Sequence, residues 1–199
     1  MAISDVIIGN MALSFVGAKR LITSLTEDTA GAEAVNLWYE YARLQTLEAY
    51  DWNFAKKRLT LAVHADAPPT EWAYRYTYPA NIVAVRSIWN PLGQIPDAIE
   101  YEIELIAAGT AKCILTNAQD AIAMCTADIT TASLFSPSYV VAFARKLAEC
   151  IAYTLTGKES IQNIQTQHFG LMIQQAAALD ASQSVRPKPR DADWIRDRR

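Results

Sequence analysis

Ala49-Tyr-Asp-Trp-Asn-Phe-Ala-Lys-Lys-Arg58 is the stretch at which the periodicity of the chain changes. Before it, Ala34, Leu37, Tyr41 and Leu44 recur at helical spacing, which predicts a helix from near Asp28 to about Tyr50 with those residues on its apolar face. After it, Leu59, Leu61 and Val63 alternate with polar residues, the period of a strand. Trp52 and Phe54 fall between the two patterns. They are expected to anchor the helix end to the β region, while Lys56, Lys57 and Arg58 stay in water.

Towards the N-terminus, Ser4 suits a helix cap, Asp5 suits the first turn and Gly17 ends the helix. Towards the C-terminus, Asp66-Ala-Pro-Pro69 breaks the strand pattern. Trp72, Tyr74, Tyr76 and Tyr78 then follow at period two, a strand with one aromatic face that Pro79 closes. Ile82-Val-Ala-Val85 with Ile88-Trp89, the alternation of Tyr101, Ile103 and Leu105, Lys112-Cys-Ile-Leu115 and Ala121-Ile-Ala-Met-Cys125 complete a block of about six strands. Ser136-Pro137 opens a third helix that stops at Gly157. Being apolar on several sides, this helix is expected at the centre. A fourth helix starts near Ser160, carries Ile161, Ile164, Leu171 and Met172, and fades into Ala176-Ala-Ala-Leu179. The prolines of Val185-Arg-Pro-Lys-Pro-Arg190 then predict an extended arm. The predicted fold is α+β: a four-helix bundle from residues 1–56 and 134–184, an inserted β-strand lobe of residues 57–133 between helices two and three, and a C-terminal arm of residues 185–199.

The 199 residues are 51% apolar and 20% charged, ordinary for a soluble globular protein. Met1-Ala-Ile-Ser-Asp5 lacks the basic and apolar regions of a signal peptide, and no run approaches the roughly 18 apolar residues of a membrane helix. The net charge of −3 is uneven. Residues 185–199 hold six Lys or Arg against three Asp, leaving twelve against eighteen acids elsewhere. An acidic body with a basic tail is not the footprint of a nucleic-acid reader, whose positive charge lies on the folded surface. Cys113, Cys125 and Cys150 are odd in number and lack a C-x-x-C pair, so they read as free buried thiols.

No catalytic motif is present: there is no phosphate loop, no G-x-S-x-G and no H-E-x-x-H. His64 and His168 have no Cys or carboxylate cluster beside them in sequence and read as surface or satisfied side chains. No metal and no cofactor is expected. Glu100, Glu102 and Glu104 share one face of a strand, opposite Tyr101, Ile103 and Leu105. That face reads as solvated, or as the acidic lining of a passage that repels phosphates. The Trp72–Tyr78 ladder lacks the basic groove of a single-strand binder, so packing is its expected role. The subunit is expected to cover its core and to expose no strongly apolar stripe.

Asn10-Met-Ala-Leu13, Phe15-Val-Gly17, Ile22, Leu25 and Ala49-Tyr-Asp-Trp-Asn-Phe-Ala55 resemble the opening of the tail tubular protein A family, head-to-tail adaptors of short-tailed phages. The resemblance continues through Glu71-Trp-Ala-Tyr74, Tyr78-Pro79, Leu134-Phe-Ser-Pro137, Leu147-Ala148, Ala152 and Leu155-Thr-Gly157, reaching about residue 182. Trp52-Asn-Phe-Ala55 is its most specific part. The resemblance implies a structural virion protein at the head–tail junction, made in the bacterial host cytoplasm. It also implies a dodecameric ring that binds the portal protein on one side and a tail nozzle protein on the other, with DNA passing through unread. It carries no catalytic residues. Adaptors of this kind often grip the portal with their C-terminal segment. That assigns portal docking to Trp194 and Ile195 as apolar anchors, and to Arg186, Lys188, Arg190, Arg196, Arg198 and Arg199 as charges. The competing readings are a phage-encoded cell-wall hydrolase and a DNA-packaging protein.

Overall fold

The computed structural model of the protein describes residues 3–89, 99–106 and 109–182. Four helices and six strands lie among them: α1 (Asp5–Phe15), α2 (Ala30–Ala49), β1 (Lys56–Thr60), β2 (Tyr74–Thr77), β3 (Ile82–Trp89), β4 (Tyr101–Leu105), β5 (Lys112–Thr116), β6 (Ile122–Ala127), α3 (Pro137–Thr156) and α4 (Glu159–Ala181). The fold is α+β, with helices and antiparallel sheet in separate runs of the chain.

Local chemistry sets most of the boundaries. The Ser4 hydroxyl accepts from Ile7 N and caps α1, and the Ser136 hydroxyl accepts from Tyr139 N at 3.3 Å with Pro137 in the first helical position. Gly157 adopts φ 64°, and its N–H donates to Tyr153 O at 2.8 Å, which ends α3 in a left-handed cap. The second helix begins two residues later than its predicted start near Asp28. Thr29 provides the cap, accepting from Ala32 N at 3.3 Å.

Two three-stranded antiparallel sheets form, in the orders β1-β6-β3 and β2-β5-β4. Their facing sides share one apolar core: Val85, Ile88, Ala123 and Cys125 from the first, Tyr76 and Ile114 from the second, with Leu61, Ala118 and Ala121. The Tyr101 hydroxyl reaches across to Val85 O at 3.1 Å. The first sheet also has a second covered side. Val83 and the segment after β6, at Ile129, pack into the helical core, and Arg86 points to the end of α2. Register shifts between Ile82 and Ala84 and between Val85 and Ser87 allow β3 to serve both sides.

The expected four-helix bundle with a β lobe is therefore corrected. The central helix is α3, against which α1, α2 and α4 each pack, but α2 and α4 do not pack along one another. The first sheet is a middle layer, with helices on one side and the second sheet on the other. The physical reason lies in the first sheet, which packs its inner face on the second sheet while Val83, Ile129 and Arg86 tie its other side to the helices, so it cannot hang from them as a separate lobe.

Candidate functional site

The turn after α2 joins the helical layer to the first sheet. Trp52 is 0% exposed, and its indole N–H donates to Thr46 O at 2.8 Å. Its ring meets Tyr50 and Tyr139 edge-on at 5.4 and 5.1 Å, while Phe54 packs on Tyr139 at 5.0 Å and on Phe135 at 5.9 Å. Both aromatics thus enter the helical core beside α3, and the hold on the β region comes from another residue. Arg86 of β3 donates through one guanidinium nitrogen to Leu47 O, Glu48 O and Tyr50 O at 2.9–3.1 Å, and through Nε to Thr126 Oγ1 at 2.8 Å. It satisfies carbonyls that the helix end leaves without partners and places a cation at the negative end of the helix dipole. Asn53 completes the joint. Its backbone N–H donates to the Asp180 carboxylate at 2.9 Å, and its side-chain amide donates to Asp180 O at 2.7 Å, tying the end of α4 to the start of β1.

A second cation, this one fully buried, braces the same region. Arg43, 1% exposed, pairs with Glu40 and with Asp128 at 2.6 Å, and donates to Ile129 O at 2.6 Å. Burial alone would lower its pKa, but hydrogen bonds to Glu40 and Asp128 hold it above the usual arginine range, so it stays charged. Neither Arg86 nor Arg43 was singled out in the sequence. The available signal was one cation inside an otherwise apolar strand, and one beside Ala42 on a helix face.

The remaining candidate residues lie apart from this joint. Glu102 and Glu104 are exposed on β4, an edge strand of the second sheet, with Glu100 just before it accepting from Thr116 Oγ1 through its backbone oxygen. Ile103 and Leu105 on the opposite face are exposed as well. Arg186, Lys188, Arg190, Trp194, Ile195, Arg196, Arg198 and Arg199 lie outside the described residues. Tyr74, Tyr76 and Tyr78 face the core between the sheets, and the Tyr76 hydroxyl donates to Ala118 O at 2.8 Å. His64 sits beside Asp66 in the loop before β2, and His168 is exposed on α4. Among the described residues, no group of three His, Cys, Asp or Glu is placed to hold a metal. Burial pushes the Cys125 and Cys150 thiols up to about 11, so neither is a ready nucleophile near neutral pH. No helix among the described residues is long and apolar enough to cross a membrane.

One expectation fails on α2. Its buried side is Ala32, Ala34, Val35, Ala42, Thr46 and Leu47, whereas Leu37 (73% exposed) and Tyr41 (49%) face outward. The apolar face read from the sequence is largely a second stripe, because the small side chains of α2 are the ones that pack closely against α3. On α4, Ile164, Leu171 and Leu179 are exposed too. Leu179 borders a shallow groove of about 270 Å³ with Val141, Met172 and Ala176. The subunit thus does present apolar stripes. No model of a known protein family matches the chain, and no curated protein is significantly similar to it.

Proposed function

We propose that the protein is a virion head-to-tail adaptor, acting as a ring of copies between the portal and the tail nozzle, through which DNA passes without being read. The observation that carries this reading is the Trp52-Asn-Phe-Ala55 element. It is the most specific part of the resemblance to the tail tubular protein A family, and it lies where α2, α3, the end of α4 and the first sheet converge. A protein acting by assembly needs a rigid frame with exposed contact surfaces. The joint provides that rigidity, and Leu37, Tyr41, Leu171 and Leu179 lie outside it. Twelve copies is the family's number and is proposed here on that ground.

Within this reading, residues 185–199 dock on the portal. Trp194 and Ile195 supply apolar contact, and the basic residues from Arg186 to Arg199 meet acidic rims. Repetition around a ring makes weak single arms act together. The exposed acids Glu100, Glu102 and Glu104 face the passage, where they repel phosphates and let DNA slide.

Deleting residues 185–199 is expected to leave the melting temperature unchanged and to abolish co-migration with the portal protein of the same genome. Trp194→Ala should weaken docking more than Arg190→Ala, whose effect should fade with added salt. A truncated chain that assembles on portal as well as the full one would remove the arm's role. A full-length chain that never associates with portal, or that clears a peptidoglycan suspension, would remove the adaptor reading itself.

A further inference from the structure

We propose that the outer stripe of α2 on one copy of this chain docks on the outer face of α4 on the next, a head-to-tail contact between identical subunits. The inference deepens the adaptor reading and rests on it for the idea that copies assemble at all.

The two faces differ in a way that selects each other. None of residues 160–179 is Asp, Glu, Lys or Arg, although much of α4 is exposed. A solvated helix of that length ordinarily carries charges on its outer side. Here the outer side is Asn163, Gln167, Gln174 and Gln175 interleaved with Ile164, Leu171 and Leu179, and His168 stands between Ile164 and Leu171. Gly170 lies among them, with nothing within 4 Å of where a Cβ would stand. A glycine inside a helix weakens it, and an open glycine on the exposed side that Gln167 and Gln174 share lets another helix approach closely.

The stripe on α2 consists of Leu37 and Tyr41, with Trp38 edge-on to Tyr41 at 5.7 Å. The exposed charges around it are acidic: Glu33 and Glu48, with Glu40 already held by Arg43. Two α2 faces brought together would oppose like charges. An α2 face on an α4 face sets those carboxylates against amide N–H donors with no acid facing them. Because the two faces belong to different helices, each copy has one of each free. Such a contact repeats from copy to copy and either closes into a ring or runs on.

Size sets its strength. At ~1.5 Å per residue α4 is about 34 Å long, and a face about 10 Å wide covers roughly 340 Å². A stable pair needs about 800 Å² per partner. One contact is therefore weak, and a subunit held by two contacts, or seated on a template, is stable.

The test uses full-length chains carrying Leu37→Cys or Leu171→Cys, both at exposed positions, one chain tagged for size. The two are mixed at several hundred micromolar, alone and with portal, and treated with a short bismaleimide. Unlike chains are expected to cross-link at least tenfold more than like chains, and a Leu105→Cys chain, exposed on β4, should show no enrichment with either. Like-with-like dimers in equal yield would overturn the inference in favour of a face-to-face contact. Assemblies that form on portal without this cross-link would overturn it and leave the adaptor reading standing. Enriched cross-linking of unlike chains in a protein that never binds portal would support the contact and overturn the adaptor reading.

Discussion

The turn after α2 and the outer face of α4 are opposite solutions to packing in one small protein. At the turn, Trp52 is fully buried with its N–H bonded, and the exposed carbonyls of α2 are taken by Arg86. On α4, apolar side chains and amides stand in the open around Gly170. The first region is finished within one subunit, and the second is not. Stability should therefore be concentrated at the turn, while the outer face of α4 should be nearly silent in the isolated chain.

Trp52→Ala gives the largest expected effect. It removes a ring packed against Tyr50, Phe54 and Tyr139, and should cost about 3–5 kcal/mol in denaturant unfolding. A loss below 1 kcal/mol would break the comparison. Arg86→Met keeps the bulk of the side chain but leaves three helix-end carbonyls without their cation. It should cost about 1.5–3 kcal/mol, and Arg86→Lys should rescue it only in part, since an ammonium cannot reproduce the planar fork that spans Thr126 and α2. On α4 the sign reverses. Gly170→Ala should raise stability by about 0.4–1 kcal/mol, because the site is helical and open and the change narrows the unfolded ensemble. A destabilised Gly170→Ala chain would mean that the face is already covered within the monomer.

Much of this layout is legible in the sequence. Ser4, Ser136-Pro137 and Gly157 mark helix ends through groups a few residues away, so a local reading finds them. Strands such as β2 and β4 are legible for the same reason, since the alternation of Tyr74 with Tyr76 and of Tyr101 with Ile103 and Leu105 is recorded within a few residues. The joint is legible only in part. Trp52 and Phe54 announce themselves by size, but the partners of Arg86 on α2 lie 36 to 39 residues away, and no spacing rule points to them.

The sequence by itself determined the kind and rough place of most elements and which side chains are apolar, although β1 begins at Lys56, ahead of the alternation that starts at Leu59. It could not determine which apolar face is buried. Ala34, Leu37, Tyr41 and Leu44 form a legitimate helical stripe, yet of these only Ala34 is buried, and α2 turns a side rich in alanine towards α3. Both stripes satisfy the 3.6-residue period, and the choice depends on how closely two backbones can approach, which only the partner helix decides. Strand pairing is of the same kind. β1 lies beside β6, with Arg58 opposite Met124, because the backbone N–H and C=O groups along the edge of β6 need partners, and no local pattern says which strand supplies them. Periodicity records that a face wants cover. The tertiary structure alone decides what covers it, because contact between distant segments is set by shape and by the pairing of buried polar groups across the whole fold.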